Sequence, residues 1–319
     1  MNPRVACVGA AAVDVKARST EPPLQWENSR GDIHLCVGGA ARNAAEIFAR
    51  LGCDVYLLSC IGTDPLGDLI LDQASGLGIN TSAVERYSDV STACYVSILD
   101  SAGTPRFGVF DGSVMERLTP DYIQRYSQLL ASVDLVVSHT LLSMEALEFL
   151  AAVANRQSTP ICVNLASPAL ASRVLSILHH HPMIAANQAE AEAIASTTIG
   201  TLDVASAIGE EMLAKGARAA LITLGELGGI YCDDLNSYQF EAVTGKLADA
   251  TGAGDALCSA LLVALQEGST AEESIRFGLA AAALTVESYD SVNPRLSRST
   301  IGSKLESVAS CEIRSKPRI

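Results

Sequence analysis

The residues best suited to chemistry stand in a glycine-rich segment, 249–255, which runs directly into the apolar stretch 256–265. Gly252 and Gly254 lack a Cβ atom, so the backbone around Ala253 can turn sharply and direct successive N–H groups toward one point. The apolar stretch is typical of a helix, whose first turn carries unpaired donors and partial positive charge. These features predict an anion hole for a phosphate group.

A carboxylate follows the two glycines. Asp255 stands at the expected start of the helix, where it could accept the proton of an attacking hydroxyl group. Glycine-rich turns that end in an acidic residue are also common without any function, so this segment alone leaves both interpretations open.

A second turn of small residues lies far upstream, at 37–45. Gly38 and Gly39 would let the backbone approach a ligand closely, and Asn43 offers both a donor and an acceptor to a hydroxyl group. The segment 62–67, Gly-Thr-Asp-Pro-Leu-Gly, predicts a further turn that opens a helix. Each of these segments, taken alone, is more often plain structure.

The elements that must position these segments alternate along the chain. Short apolar runs typical of buried strands lie at 5–8, 55–58, 135–137, 161–163, 183–185 and 219–223. Helical patterns lie between them, at 42–51, 65–75, 143–155, 188–196 and 202–215. The alternation predicts one α/β domain over residues 1–319, with a mostly parallel sheet that binds ligands at the carboxyl ends of its strands.

Two segments interrupt this alternation. Residues 15–37 contain charges, a Pro-Pro pair and the lone Trp26, and residues 92–111 form two extended runs about a turn at 101–103, which is typical of a hairpin. We expect both to form a small β-layer over the edge of the sheet. That layer could be a lid over a ligand or a structural addition.

Composition restricts the possible functions. The chain of 319 residues is 49% hydrophobic and can bury a large core, and its formal net charge of -14 argues against nucleic acid and anionic membranes as partners. The apolar runs are shorter than the ~20 residues that a membrane helix needs. The nine cysteines never occur as CxxC, which favours a reducing cytoplasm over disulfides or a zinc site. Residues 4–13 faintly resemble a short signal peptide, but Asp14 and Lys16 follow at once and 5–9 fits a first buried strand equally well.

The segments 38–43, 62–67, 187–190, 223–228 and 249–255 have the order and spacing of motifs in one enzyme family. Over roughly residues 4–295 the chain resembles the ribokinase-like (PfkB) carbohydrate kinases. That resemblance implies a three-layer α/β/α sandwich with a mostly parallel central sheet and a small β-lid from about 15–37 and 92–111. It also implies transfer of the ATP γ-phosphate to a primary hydroxyl of a sugar.

The resemblance also implies roles for single residues. Asp255 would be the catalytic base, and the amides of Gly252, Ala253 and Gly254 would hold the developing charge. The substrate contacts implied are Asp14, Gly38, Gly39, Arg42, Asn43 and Asn164, together with Asp255. The nucleotide contacts implied are Asn187, Glu190, Thr223, Gly225, Gly228, Ala250, Gly252 and Gly254. Glu190 would hold Mg²⁺ through water, and Asp249, Thr251 and Ser291 are candidates for a monovalent cation such as K⁺.

Within that family the chain resembles the pseudouridine kinases, through Gly-Gly-x-x-Arg-Asn at 38–43, the hairpin at 92–103 and the tail 288–294. That resemblance implies phosphorylation of the 5′-hydroxyl of pseudouridine, with Thr92, Tyr95 and Asp111 over the base. Pseudouridine carries an N1–H group that uridine lacks, and a carboxylate at Asp111 could accept it. Asp111 could equally cap the turn 111–113.

Two departures from the family pattern bear on the substrate. Ala186 stands where a proline often precedes the Asn-x-x-Glu motif, and Asn164 stands where these enzymes frequently have Asp. A kinase for ribose or adenosine, and a non-catalytic ligand-binding protein of the same fold, therefore stay open as alternatives.

Other motifs carry less weight. The chain has no G-x-x-x-x-G-K-[ST] motif, which excludes a P-loop enzyme. The three adjacent histidines at 179–181 are expected to form a solvated helix end, because adjacent side chains converge poorly on a metal. The exposed edge of the β-layer predicts a homodimer through the lid. The remaining partner expected is a small-molecule nucleoside substrate.

Overall fold

The computed structural model describes residues 2–20, 28–101, 104–243, 252–288 and 290–317. Trp26 and the residues at the centre of the 101–103 turn, Ala102 and Gly103, lie outside these ranges. The strands are β1 (Arg4–Val8), β2 (Ala12–Ser19), β3 (Gly31–Gly38), β4 (Asp54–Gly62), β5 (Asn80–Tyr87), β6 (Ala93–Leu99), β7 (Pro105–Asp111), β8 (Leu135–His139), β9 (Ile161–Asn164), β10 (Met183–Asn187), β11 (Ala219–Thr223), β12 (Gly229–Asp233), β13 (Asn236–Phe240) and β14 (Ile313–Pro317).

Ten of these strands form the central sheet, in the order β14-β13-β12-β11-β10-β9-β8-β1-β4-β5. The strands from β11 through β5 pair in parallel, and β12, β13 and β14 add an antiparallel edge. The apolar runs expected to be strands all lie in the parallel part. The structure thus confirms the predicted α/β fold with a mostly parallel sheet.

Helices cover both faces of this sheet. They are α1 (Ala40–Arg50), α2 (Pro65–Gly76), α3 (Pro120–Arg125), α4 (Ser127–Leu130), α5 (Met144–Arg156), α6 (Gln188–Ala195), α7 (Leu202–Ala214), α8 (Ala253–Gln266), α9 (Ala271–Thr285) and α10 (Arg298–Val308). Short 3₁₀ helices lie at Ser113–Arg117, Pro168–Ser176, Leu178–His180 and Gly225–Leu227. Within the described ranges, none of the helices is both long and apolar enough to cross a bilayer.

Strand β1 shows why the sheet is buried on both faces. Val5 and Cys7 belong to one hydrophobic core, which α1, α8 and α9 complete. Ala6 and Val8 point the other way into a second core, which α5 and α7 complete. Because successive side chains of a strand alternate between faces, an uninterrupted apolar run is what a strand between two helical layers requires.

The second sheet has four strands, in the order β3-β2-β6-β7. Strand β2 pairs antiparallel with β3 and parallel with β6, and β6 forms an antiparallel hairpin with β7. The sheet begins at Ala12, earlier than the expected 15, because the chain leaves β1 through a buried apolar segment and enters β2 almost at once. We call this four-stranded sheet the lid sheet.

Candidate active site

The amino end of α8 is shaped by Gly252. This residue caps the helix with φ 80°, a left-handed conformation that favours glycine, and a Cβ atom there would collide with the carbonyl oxygen of Ser291. Ala256 N–H donates to the Gly252 carbonyl at 2.9 Å, so the N–H groups of 253–255 precede the first helical hydrogen bond. Among the described residues, a Cβ atom on Gly254 would have only Thr223 Oγ1 within 4 Å, at 3.9 Å. The helix end therefore presents N–H donors at a position that the described side chains leave uncrowded.

Asp255 lies in the first turn of α8, as expected, since the helix begins at Ala253 rather than at 256. Its Oδ1 accepts a 2.5 Å hydrogen bond from Asn164 Nδ2 at the carboxyl end of β9. Burial raises the pKa of the Asp255 carboxyl, and the Asn164 bond opposes that rise. The bond also fixes the carboxylate beside the helix end.

Asn187 and Glu190 form a capping box where β10 passes into α6. Asn187 Oδ1 accepts from Glu190 N–H at 3.0 Å, and Glu190 Oε2 accepts from Asn187 N–H at 2.9 Å. Burial raises the pKa of the Glu190 carboxyl to about 7; the Asn187 bonds oppose the rise and the negative charge of Asp255 adds to it. Among the described residues, neither carboxylate pairs with a lysine or arginine. The site therefore holds uncompensated negative charge on hard oxygen atoms.

Thr223 lies beside Asn187, because the two residues are register partners at the ends of β11 and β10. The turn that follows β11 uses two glycines at positive φ: Gly225 at 58° and Gly228 at 93°. A Cβ atom on Gly228 would collide with the Phe240 carbonyl oxygen, so this turn can approach β13 only with glycine. Two of the implied nucleotide contacts, Asn187 and Thr223, thus lie on neighbouring strand ends, and Gly225 and Gly228 lie in the turn that follows Thr223.

Asp14 lies in β2, at the centre of the lid sheet. Its Oδ2 is 2.5 Å from the position that a Cβ atom on Gly38 would occupy, so Gly38 makes room for the carboxylate. Gly39, at φ 94°, lies against the backbone of 10–12, which any side chain would displace. Burial raises the pKa of the Asp14 carboxyl, and Lys16 opposes the rise. The two glycines therefore hold this carboxylate at the junction between lid sheet and α1.

Arg42 is buried, and its guanidinium contacts other protein groups. It donates to the Val37 carbonyl at 3.2 Å and to Gln73 Oε1 at 3.1 Å, and it forms a buried ion pair with Glu46. A weaker 3.4 Å contact reaches Asn43 Oδ1. These contacts place Arg42 behind Asn43, where it can orient the amide.

Thr92 also makes internal contacts. Its hydroxyl accepts from Gly62 N–H at 2.9 Å, and its own N–H donates to Asp64 Oδ2 at 2.7 Å. Asp64 in addition caps α2 by accepting from Gly67 N–H at 3.0 Å. Thr92 therefore ties the start of β6 to the turn at 62–67, with its side chain buried.

Tyr95 lies near the start of β6, and Asp111 ends β7, where it pairs with Cys94 and so lies on the face opposite Tyr95. Tyr95 is the register partner of Asp14, so both side chains share one face of the lid sheet, and the Tyr95 ring lies over Gly108. Asp111 is exposed, and its Oδ1 accepts from Ser113 N–H at 3.1 Å and from Ser113 Oγ at 2.8 Å. These contacts match the alternative role of Asp111, in which its side chain caps the turn 111–113.

Three candidate residues, Asp249, Ala250 and Thr251, lie outside the described residues. Ser291, the remaining candidate for a monovalent cation, is described and contacts the amino end of α8 through its carbonyl oxygen.

Sequence reasoning missed some of the contacts that hold the site. His139 is buried, and its Nε2 accepts from Ala10 N–H at 2.9 Å, which supports the turn after β1. The sequence did not predict the contact between Asp64 and Thr92 or the contact between Asn164 and Asp255. The Asp at the start of a helix in 62–67 was the one signal that could have indicated a cap.

Comparison with known proteins agrees with this geometry. The family model "pfkB family carbohydrate kinase" matches residues 2–298. A guanosine-inosine kinase of Exiguobacterium acetylicum is 27% identical over 289 residues, which cover 90% of this chain and 95% of that protein. A pseudouridine kinase of Escherichia coli K12 is 25% identical over 303 residues, covering 95% and 96%.

A solved structure of Arabidopsis thaliana ribokinase with ribose and ATP superposes with a TM-score of 0.87 at 22% identity, over 96% of this chain and 99% of that one. This likeness supports the fold. The family match spans nearly the whole chain, including the lid sheet, the strand ends and α8. The chain belongs to the pfkB family of carbohydrate kinases, which act on sugars and nucleosides.

Proposed function

We propose that the protein uses ATP to phosphorylate the 5′-hydroxyl of a ribonucleoside, with pseudouridine as the favoured substrate. The observation that carries the proposal is the Asp255 carboxylate, which Asn164 fixes at the amino end of α8. A base and a set of helix N–H donors are thereby held within one turn of backbone. Phosphoryl transfer requires little beyond such positioning and charge neutralisation.

In this reaction Asp255 takes the proton of the attacking hydroxyl. Its raised pKa makes it a better proton acceptor than an ordinary aspartate. The N–H groups of 253–255 lie where negative charge develops on the transferred group. Asp14 accepts hydrogen bonds from the sugar hydroxyls and holds the substrate against the Gly38–Gly39 turn.

The donor set fits Mg²⁺. Glu190 offers a carboxylate whose burial raises its pKa to about 7 and which pairs with no lysine or arginine among the described residues. Glu190 would hold the ion through water, beside Asn187 and the nucleotide turn at 223–228, and the ion would neutralise phosphate charge. A K⁺ ion would be held near Ser291, with Asp249 and Thr251 as further candidates.

The nucleoside kinases named above support a nucleoside as the substrate. Tyr95 shares the Asp14 face of the lid sheet and is the residue best placed to stack on a base. Asp111 ends β7 beside Cys94, which places it in a row of the face opposite Asp14 and Tyr95, so its carboxylate would reach the base around the end of the strand. Its Oδ2 is the oxygen that the turn cap does not use. We assign it the N1–H of pseudouridine.

The second candidate is a purine nucleoside kinase. The relative named guanosine-inosine kinase is 27% identical to this chain, comparable to the 25% of the pseudouridine kinase, and this observation supports a purine nucleoside as the alternative substrate. A purine would occupy the same face of the lid sheet, with Tyr95 as the stacking residue.

A panel of nucleosides separates these candidates. We would measure kcat/KM with ATP and Mg²⁺ for pseudouridine, uridine, guanosine, inosine, adenosine and ribose, and locate the phosphate by NMR. We expect pseudouridine to exceed uridine, and Asp111→Ala to reduce that ratio while Asp89→Ala, an exposed carboxylate outside the lid sheet, leaves it unchanged. Preference for a purine or for ribose would overturn the substrate, and an unchanged ratio in Asp111→Ala would overturn only the role of Asp111.

A homodimer through the lid sheet is supported by the outer face of that sheet. Register places Ile33, Ile98 and Phe107 in one row and Leu35, Val96 and Val109 in the next, on the face opposite Asp14. Phe107 and Val109 are both 70% exposed. An apolar face of this kind, on a sheet whose outer strands β3 and β7 each pair with one described strand, suits a second copy of the same sheet.

Light scattering tests the dimer. We expect a dimer mass for the parent at micromolar concentration and a monomer for the double variant Phe107→Ser, Val109→Ser. Monomeric parent protein would refute the dimer.

We also propose that the protein acts in the reducing cytoplasm, since its nine cysteines are free.

A further inference from the structure

Two of the adjacent histidines meet a carboxylate on a neighbouring helix. His179 and His180 end the 3₁₀ helix Leu178–His180, just before the amino end of β10, and Glu148 lies in α5. Glu148 Oε1 is 3.0 Å from His180 Nε2 and 3.5 Å from His179 Nε2. The cluster lies before β10, whereas the active-site residue Asn187 ends that strand.

The three adjacent histidines do not all converge, as expected from the sequence, but two of them lie against the same carboxylate. His181 takes a left-handed conformation with φ 57°, and its Nδ1 contacts the Gly216 carbonyl at 3.0 Å. The backbone therefore turns His181 away, while the His179 and His180 rings stack with their centroids 3.9 Å apart. The third group comes from Glu148, 31 positions before His179 in the chain, which no local sequence pattern indicates.

The spacing of the three groups suits a metal ion. The ligand atoms all lie within 4.8 Å of one another. Tetrahedral zinc with bonds of about 2.0–2.1 Å separates its ligand atoms by about 3.3 Å, and the two nitrogen-to-oxygen distances bracket that value. Two imidazoles and one carboxylate are a ligand set that zinc accepts, with a position left for water.

The polar atoms of the cluster are incompletely paired. Glu148 Oε2 is buried and has no hydrogen-bond partner within the described part of the chain. His180 is mostly buried, with a side-chain exposure of 14%, whereas His179 is exposed at 61%. An ion would satisfy the carboxylate and hold two stacked imidazoles in their neutral form. The exposed His179 gives the ion a path from solvent.

We propose that Glu148, His179 and His180 form a zinc site outside the active site. The bound ion would link α5 to the segment that leads into β10, and so fasten a helix of one face to the sheet. The site is separate from the kinase chemistry and does not depend on the substrate of the kinase.

The test is a Zn²⁺ titration of the full chain without an affinity tag, followed by calorimetry and by thermal unfolding. We expect one ion per chain and a higher Tm with Zn²⁺. Glu148→Gln and His180→Asn, measured separately, should each weaken binding by more than about tenfold and abolish the Tm shift. The matched control is His181→Asn, which removes the neighbouring imidazole at a left-handed position that asparagine tolerates, and it should bind as the parent does.

Cobalt distinguishes this site from the cysteines. A Co²⁺ complex of the proposed site should lack the intense absorption of cobalt–thiolate bonds. Absence of stoichiometric binding by the parent, retention of full affinity in both variants, or a thiolate spectrum would each overturn the proposal. Equal loss in His181→Asn would overturn the assignment of the ligands.

Discussion

Removing the Asn164 side-chain donor should shift the pH at which the enzyme gains activity. Asn164 Nδ2 donates to Asp255 Oδ1 at 2.5 Å, and this bond favours the charged carboxylate. In Asn164→Leu, a change of similar volume, the carboxylate loses that donor and its pKa rises further. Because the base must be deprotonated to act, the acidic limb of the kcat/KM profile should move to higher pH.

The size of the shift follows from the strength of the bond. A hydrogen bond to a charged group contributes about 1.5–3 kcal/mol, and one pKa unit corresponds to about 1.36 kcal/mol. Asn164 is half-buried, so we take the lower end and expect a shift of about one pH unit. Asn164→Asp should shift the limb at least as far, because a second carboxylate repels the first.

The assay is ADP formation with pseudouridine from pH 5 to 9 at saturating ATP and Mg²⁺. Cys162→Ala is the matched control, since Cys162 lies on the same strand, is buried and contacts Cys258 rather than the carboxylate. It should lower stability without moving the acidic limb. An acidic limb that stays in place in Asn164→Leu would refute the coupling between Asn164 and Asp255.

Three further predictions concern single residues. Gly252→Ala should lose about 1–3 kcal/mol of stability and most of the activity, because φ 80° is strained for alanine and the Cβ atom would meet the Ser291 carbonyl oxygen. The control variant Gly254→Ala should unfold at the same Tm as the parent. Asp14→Ala should raise KM for the nucleoside strongly and leave KM for ATP unchanged; an unchanged nucleoside KM would remove Asp14 from the sugar site. Glu190→Gln keeps an acceptor for Asn187 N–H but removes the ionisable carboxyl. In the parent, folding raises the pKa of this carboxyl from 4.5 to about 7, which lowers the stability of the parent by up to about 3 kcal/mol above pH 7. Without metal, the Tm of Glu190→Gln should exceed that of the parent by an amount that grows from pH 4.5 to 7 and is constant above pH 7. The variant should also need a higher Mg²⁺ concentration for activity. A Tm difference that does not change with pH would contradict the burial of the Glu190 charge.

Much of the fold could be predicted because its signals are local. The apolar runs that became β1 and β8 are buried on both faces, and alternation with helices led directly to a parallel sheet. The first-turn position of Asp255 followed from two glycines and the apolar stretch after them. These features depend on neighbours within a few residues.

The contacts that the sequence did not reveal join distant parts of the chain. Asn164 and Asp255 are 91 positions apart, and Asp64 meets Thr92 across 28 positions. An asparagine at the end of a strand has several possible partners, and only the packing of α8 against the sheet selects one. Asp111 shows the converse, since its contact with Ser113 is local and was foreseen as an alternative.

The measurement that tests the central claim most directly compares parent protein and Asp255→Asn in single-turnover phosphorylation of pseudouridine, with ATP binding followed in parallel. We expect the variant to bind ATP as the parent does and to lose about 10²–10⁴-fold in the rate of phosphoryl transfer. The control variant Asp72→Asn, of an exposed carboxylate on α2, should transfer phosphate at the parent rate. Transfer by Asp255→Asn at the parent rate would contradict the assignment of Asp255 as the base.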